Sequence, residues 1–202
     1  MAVCTESLAR AGVYRFLAEV FTTHPTRASV RRLSGLAAEF GIQCPDKLSP
    51  GTLEREYMDL FVAPNPLYVA PYESVFRDRW LVPAALKPGS DPGEASLAIK
   101  GLVMGESTLA VQRCYVDAGL AAKHDLPDHV GNELRFMAYL WTQQAEAPPD
   151  EAARAAELRE TFRKEHLLKW TGDLRARITE SDRLGYYRAA IEVVEGVLMN
   201  DG

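Results

Sequence analysis

The sequence is poor in cysteine, and the three it has, Cys4, Cys44 and Cys114, lie far apart and in no Cys-x-x-Cys arrangement. An odd number of scattered thiols excludes a disulfide framework and argues against a structural zinc site, so they are read as reduced. No apolar run approaches the roughly 18 to 20 residues that span a bilayer, so no membrane insertion is expected. The start, Met-Ala-Val-Cys-Thr-Glu-Ser, carries neither the basic residues nor the apolar block of a secretory signal, and a cytoplasmic protein is expected. Positive charge is not in excess either: 23 Lys and Arg against 28 Asp and Glu leave a net charge of -5. That balance offers little to a nucleic-acid backbone and leaves room for a cationic partner.

Catalytic templates are missing as well. There is no Gly-x-x-x-x-Gly-Lys, no Gly-x-Gly-x-x-Gly, no Gly-x-Ser-x-Gly and no His-Glu-x-x-His. A relay of Ser74, His129 and Asp128 fails because neighbouring residues at a helix start point in different directions. His124, Asp125, Asp128 and His129 are suitable metal-ligand types, but their spacing matches no known pattern. No strand-like alternation runs for more than a few residues, and no repeat of fixed period is present. With 47% hydrophobic residues over 202 positions, the chain can bury one sizeable core without staples.

What is present is helical periodicity. Leu8, Val13, Phe16, Leu17, Val20 and Phe21 return at helical spacing from Glu6 to Thr22. A second helix begins near Thr26, with Val30, Leu33, Leu36, Ala37 and Phe40 on one side and Gly41 to end it. Ser49-Pro50 supplies a cap and a first-turn proline for a helix through Leu53, Tyr57 and Leu60. Ser107 to Ala118 reads as a helix closed by Gly119. Asp128 reads as the N-cap of a helix bearing Val130, Leu134, Met137 and Trp141. After Pro148-Pro149-Asp150, read as turn and cap, Leu158, Phe162, His166 and Trp170 follow at steps of four, with a break or bend expected at Gly172. The last helix, from Asp182, carries Leu184, Tyr187, Ile191, Val194 and Leu198. The fold class is all-α: one helical bundle over 1–202, with the Pro- and Gly-rich connection Leu81 to Gly93 as an exposed, irregular hinge or swap point.

Between the third helix and that connection lies Ala63 to Trp80. Pro64, Pro66 and Pro71 exclude an ordinary helix or a central strand, so this is a shaped loop. It carries Tyr68, Tyr72, Phe76 and Trp80, a ring density that means either anchoring to the core or reception of a partner. Glu73 is either a local cap or surface ion pair, or a recognition group; Asp128 is either a cap alone or a cap with a second role. If both carboxylates meet the aromatic wall, the groove suits a peptide with arginines beside a hydrophobic run, because carboxylates accept bidentate hydrogen bonds from guanidinium and rings stack on it.

Leu60-Phe61, the proline-rich gap and Pro71-Tyr72-Glu73-Ser74-Val75-Phe76 resemble the first signature of the TorD/DmsD/NarJ-type chaperones, the maturation factors of molybdenum oxidoreductases. Tyr115, Ala118-Gly119-Leu120 and Pro127 to Met137 are similar to the second, and Phe162, Glu165-His166-Leu167 and Trp170 to a third. Where the family often has Glu-Pro-x-Asp-His, this chain has Asp125-Leu126-Pro127-Asp128-His129, which leaves Asp128 and His129 matched and Asp125 displaced.

The resemblance implies an all-helical cytoplasmic chaperone without catalytic turnover or a cofactor of its own. It would bind the N-terminal leader, usually a twin-arginine leader, of a molybdopterin-containing enzyme and hold the apoenzyme until its cofactor is loaded, before export. The partner is the catalytic subunit precursor, and the chaperone itself is a monomer or a domain-swapped dimer. The leader-binding residues carried over are Tyr68, Tyr72, Glu73, Ser74, Phe76, Trp80, Asp128 and His129. In that reading Glu73 and Asp128 face the arginines, the rings face the apolar segment, and His129 is a neutral hydrogen-bonding group. Other readings fit the residues too: a metal-dependent hydrolase using His124, Asp125, Asp128 and His129, a nucleotide hydrolase, or a helical scaffold subunit whose aromatic loop is an obligate interface.

Overall fold

A computed structural model describes residues 2–83, 96–99, 101–120 and 126–201. Helix α1 spans Ala2–Thr22 and runs through the centre, with Tyr14, Leu17, Ala18 and Phe21 buried. Thr26 caps α2, Arg27–Glu39, in a capping box with Ser29, and the chain leaves through Gly41 at φ 68°, a left-handed turn that suits glycine. Ser49 caps α3, Pro50–Tyr57, which continues without interruption into a first π turn, Met58–Val62.

The short helix α4, Glu73–Arg77, follows the aromatic loop, and α5 spans Glu106–Asp117. Helix α6, Val130–Glu146, lies along α1 in the most extensive helix pair and packs on its other side against α7, Pro149–Phe162. A second π turn, Arg163–Leu167, leads directly into α8, Leu168–Ser181. Helix α9, Tyr186–Asn200, buries almost its whole surface between α8, α2 and α1. The close approach of α1 and α6 depends on Gly131, where an added Cβ would lie 2.3 Å from Thr22 Cγ2 and 3.3 Å from the Ala18 carbonyl oxygen.

The all-α bundle expected from periodicity is the fold observed, and the differences are local. Trp80–Pro83 and Ser96–Ile99 form an antiparallel two-stranded hairpin, β1 and β2, with Trp80 opposite Ile99 and Pro83 opposite Ser96. The expectation of irregular chain from Leu81 is therefore corrected for 81–83; the two prolines and two glycines between residues 88 and 93 lie outside the described residues. Gly172 neither breaks nor bends a helix: it sits inside α8, and the departure from α geometry comes earlier, at Arg163–Leu167. Pro148, not Asp150, is the N-cap of α7, and Asp150 stands in its first turn, where a negative charge meets the positive end of the helix. Asp128 is not the cap of its own helix. His129 takes that place, and Asp128 caps a different one.

Candidate binding face

The aromatic loop is fixed from below before any side chain is offered to solvent. Asn65 folds its first half, donating from Nδ2 to the carbonyls of Asp59 and Ala63, both at 2.7 Å, and accepting from the Leu67 amide at Oδ1, also at 2.7 Å. Val69, 1% exposed, anchors the middle, with its amide donating to the Leu60 carbonyl at 2.7 Å. The opening of the loop's carbonyl from the first π turn is what makes room for this docking.

The second half is stitched to the start of α6. Tyr72 and His129 form an antiparallel bridge, in which the Glu73 amide donates to the Asp128 carbonyl and the Val130 amide to the Pro71 carbonyl, each at 2.9 Å. Asp128 Oδ2 accepts from the Ser74 amide at 3.0 Å, so this carboxylate occupies the N-terminal turn of α4 from across the molecule. Orphan amides and the positive end of the helix both favour an anion there. Its other oxygen, Oδ1, and Ser74 Oγ are buried with no hydrogen-bond partner among the described residues.

His129 caps α6 with Nδ1, which accepts from the Gly131 amide at 3.0 Å. That geometry puts the proton of the neutral ring on Nε2. The Tyr72 ring meets His129 edge to face at 5.1 Å. Both line a cleft of about 400 Å³ with Phe21, Thr22, Tyr57, Leu126, Asn132 and Arg135. Arg135 bridges its rim, donating to Thr22 Oγ1 at 2.6 Å and Asn132 Oδ1 at 3.0 Å. The cleft wall therefore presents rings and donors, and none of its lining residues is acidic.

Glu73, assigned above to a leader's arginine, turns inward. It is 0% exposed, hydrogen-bonded through Oε1 to Arg77 and 2.8 Å through Oε2 from His166 Nδ1. Arg77 also donates to the Glu165 carbonyl at 2.8 Å, which ties α4 to the second π turn. Burial alone would lower the pKa of His166, but the hydrogen bonds and charges of Cys114 and Glu73 outweigh it, and the imidazole is raised to about 9. It is a cation at neutral pH.

A third carboxylate, Glu133, is also 0% exposed and accepts from Trp170 Nε1 at 3.1 Å. Burial first, then the charge of Glu73, hold it well above the usual carboxylate range, so it is a neutral acid whose proton is shared with Glu73. Phe76 stacks on the Trp170 ring at 5.6 Å above this network.

The structure thus brings Tyr72, Glu73, Ser74, Asp128 and His129 together and sorts them. Tyr68, Tyr72, Phe76 and His129 are half-buried and form the face, while Glu73, Ser74 and Asp128 are sealed beneath it. The Trp80 side chain, His124 and Asp125 lie outside the described residues, and among the described residues no group of three His, Cys, Asp or Glu could hold a metal ion. Sequence reasoning left His166 as a satisfied core or boundary histidine and gave Arg77 and Glu133 no role. The i,i+4 spacing of Glu73 and Arg77 was a signal available for the first pair; nothing local ties Glu133 to Glu73.

A helical bundle that props a half-buried aromatic loop against a histidine-capped helix defines a protein built to present a shaped face. None of the curated proteins matches the chain. The sequence profile described as "Nitrate reductase delta subunit" matches residues 25–176, from the start of α2 well into α8. The chain belongs to that family, the NarJ/TorD-type chaperones of molybdoenzyme maturation.

Proposed function

We propose that this chaperone acts in the cytoplasm by binding the N-terminal leader, a twin-arginine leader, of a molybdopterin-containing oxidoreductase, and that it holds the apoenzyme for cofactor insertion before export. The observation that carries the reading is the seam between the two signature segments: Tyr72 and His129, 57 positions apart in sequence by their numbering, pair backbone to backbone and share one cleft. Tyr68, Tyr72, Phe76 and Trp80, with His129, receive the leader. Glu73, Ser74 and Asp128 support the face from beneath it, a different division of labour from direct arginine contact.

On such a face a guanidinium finds ring planes, where cation–π stacking is worth roughly 0.5 to 2 kcal/mol, and the apolar part of the leader covers the same rings. The net charge of -5 favours approach of a cationic segment. No helix among the described residues is long and apolar enough to cross a membrane.

Calorimetric titration of the full chain with leader peptides encoded beside its gene tests the reading, each peptide paired with a version in which both arginines are lysine. Binding that weakens several-fold in the lysine version, and again in Tyr72→Ala, is expected. Binding to intact apoenzyme but to no leader would move the recognition to the mature part of the client and overturn the leader reading.

A further inference from the structure

Behind the binding face, three side chains from three elements stand in a row. Cys114 Sγ, on α5, lies 3.7 Å from His166 Nε2, and Nδ1 of the same ring lies 2.8 Å from Glu73 Oε2. Phe162 stacks on the imidazole with centroids 4.7 Å apart and planes 27° from parallel, so the ring cannot turn its Nε2 away from the sulfur. The ring reaches this position because residues 163–167 form a π turn, a local insertion that recurs where helices carry functional side chains. His166 is 6% exposed and Glu73 0%, whereas Cys114 is half-buried, so the thiol end of the row meets solvent. The other charged or titratable groups around it are Arg77, on the far oxygen of Glu73, the neutral Glu133 and the buried Tyr115 hydroxyl.

We propose that Cys114 is a modification site, a thiol activated by the His166–Glu73 pair to react with peroxides and soft electrophiles. The imidazolium donates its Nε2 hydrogen to the sulfur and stabilises it as thiolate once the thiol proton has left to solvent. With a hydroperoxide, the thiolate sulfur attacks the distal oxygen and the O–O bond breaks. A sulfur–oxygen bond forms, the departing alkoxide or hydroxide takes a proton from water, and the cysteine is oxidised to sulfenic acid as the peroxide is reduced. The alternative is a structural thiol that packs against the ring without gaining reactivity. Because Glu73 also opens α4, the state of this sulfur is linked to the helix that follows the aromatic loop.

The test is competitive labelling of the native full chain at pH 7 with limiting iodoacetamide, each cysteine being read separately by peptide mass spectrometry. Cys4 and Cys44 serve as internal references; burial raises the Cys44 pKa to about 11, so it should stay slow. Cys114 is expected to label fastest, and its rate should fall about ten-fold in His166→Gln. Hydrogen peroxide followed by dimedone should tag Cys114 ahead of the others. Equal Cys114 rates in native and variant chains of matching circular dichroism would overturn the proposal. If the variant fails to fold, the native chain decides: Cys114 labelling no faster than Cys4, with no dimedone adduct, overturns it as firmly.

Discussion

Asp128 Oδ2 lies 3.0 Å from the Ser74 amide, and through that single contact the carboxylate of one signature segment becomes the helix cap of the other. The residue reads in sequence as the cap of the helix it precedes. In the fold His129 does that work, and Asp128 is released to span 54 positions of chain and fix where α4 begins.

Asp128→Ala should therefore lower the unfolding free energy by about 1 to 2 kcal/mol in urea titration, the size of a lost cap. Asp128→Asn keeps an oxygen for the Ser74 amide and should lose less. If the alanine variant were as stable as the native chain, the capping role would be wrong.

Gly131→Ala places a methyl group 2.3 Å from Thr22 Cγ2, on a β-branched side chain that has little freedom to move. Overpacking of this kind costs about 1 to 3 kcal/mol. Thr22→Ser removes the offending methyl and keeps the oxygen that Arg135 uses, so the double variant should recover part of the loss. A double-mutant cycle by thermal unfolding measures the recovery, and strict additivity would exclude the contact as the cause.

The His166 imidazole, raised to about 9 by Cys114 and Glu73 against the pull of burial, gives a signed dependence on pH. Its folded-state pKa exceeds the unfolded value of about 6.5. The stability it contributes is thus complete below pH 6.5 and lost as pH climbs toward 9. Against His166→Gln, the native chain should lead by the widest margin near pH 6 and by the narrowest near pH 9.5 in paired urea titrations. A margin that widens with pH would reverse the assignment of charge.

Glu133 pays an opposite debt. Burial and the charge of Glu73 hold it protonated in the fold, whereas the unfolded chain ionises it at neutral pH. Glu133→Gln is the isosteric neutral form: its oxygen can accept from Trp170 and its amide can donate to Glu73. The variant should be at least as stable as the native chain at pH 7, by about 1 kcal/mol or more at pH 8, and less dependent on pH. Glu133→Ala, which leaves Trp170 Nε1 without its partner, should instead destabilise by about 2 kcal/mol or more. Equal losses for both would show that size rather than protonation governs the site.

The parts of the fold that were legible share one property: their signals are local. Thr26 with Ser29, Ser49 with Pro50 and Gly41 with its positive φ each declare a helix end within a few residues. The caps that sequence reading missed are supplied from a distance. Asp78 accepts from the Ser107 amide at 3.0 Å and hydroxyl at 2.6 Å to open α5, against Gly105, where any Cβ would strike it. Asp128 does the same for α4. No spacing rule sees such a partner, because its identity depends on how the bundle closes. The candidate site shows the same divide. Residue types alone marked Tyr72, Glu73, Asp128 and His129 as neighbours in chemistry, but which of them faces out is set by burial, and the inward turn of Glu73 needed His166 and Arg77 to be in place.

The two π turns have a consequence for how the chain tolerates length change. A π turn is an α-helix carrying one surplus residue, and excising that residue restores ordinary geometry while turning everything beyond it by about 100°. A one-residue deletion within 163–167 would swing Trp170, Leu174 and Ile178, all 0% exposed, off the core and pull His166 from its two partners. A deletion within 58–62 would misdirect the aromatic loop at its root. These two turns are the places where the molecule counts its residues, and the spacing it keeps there is what aims the loop and the imidazole at the same point.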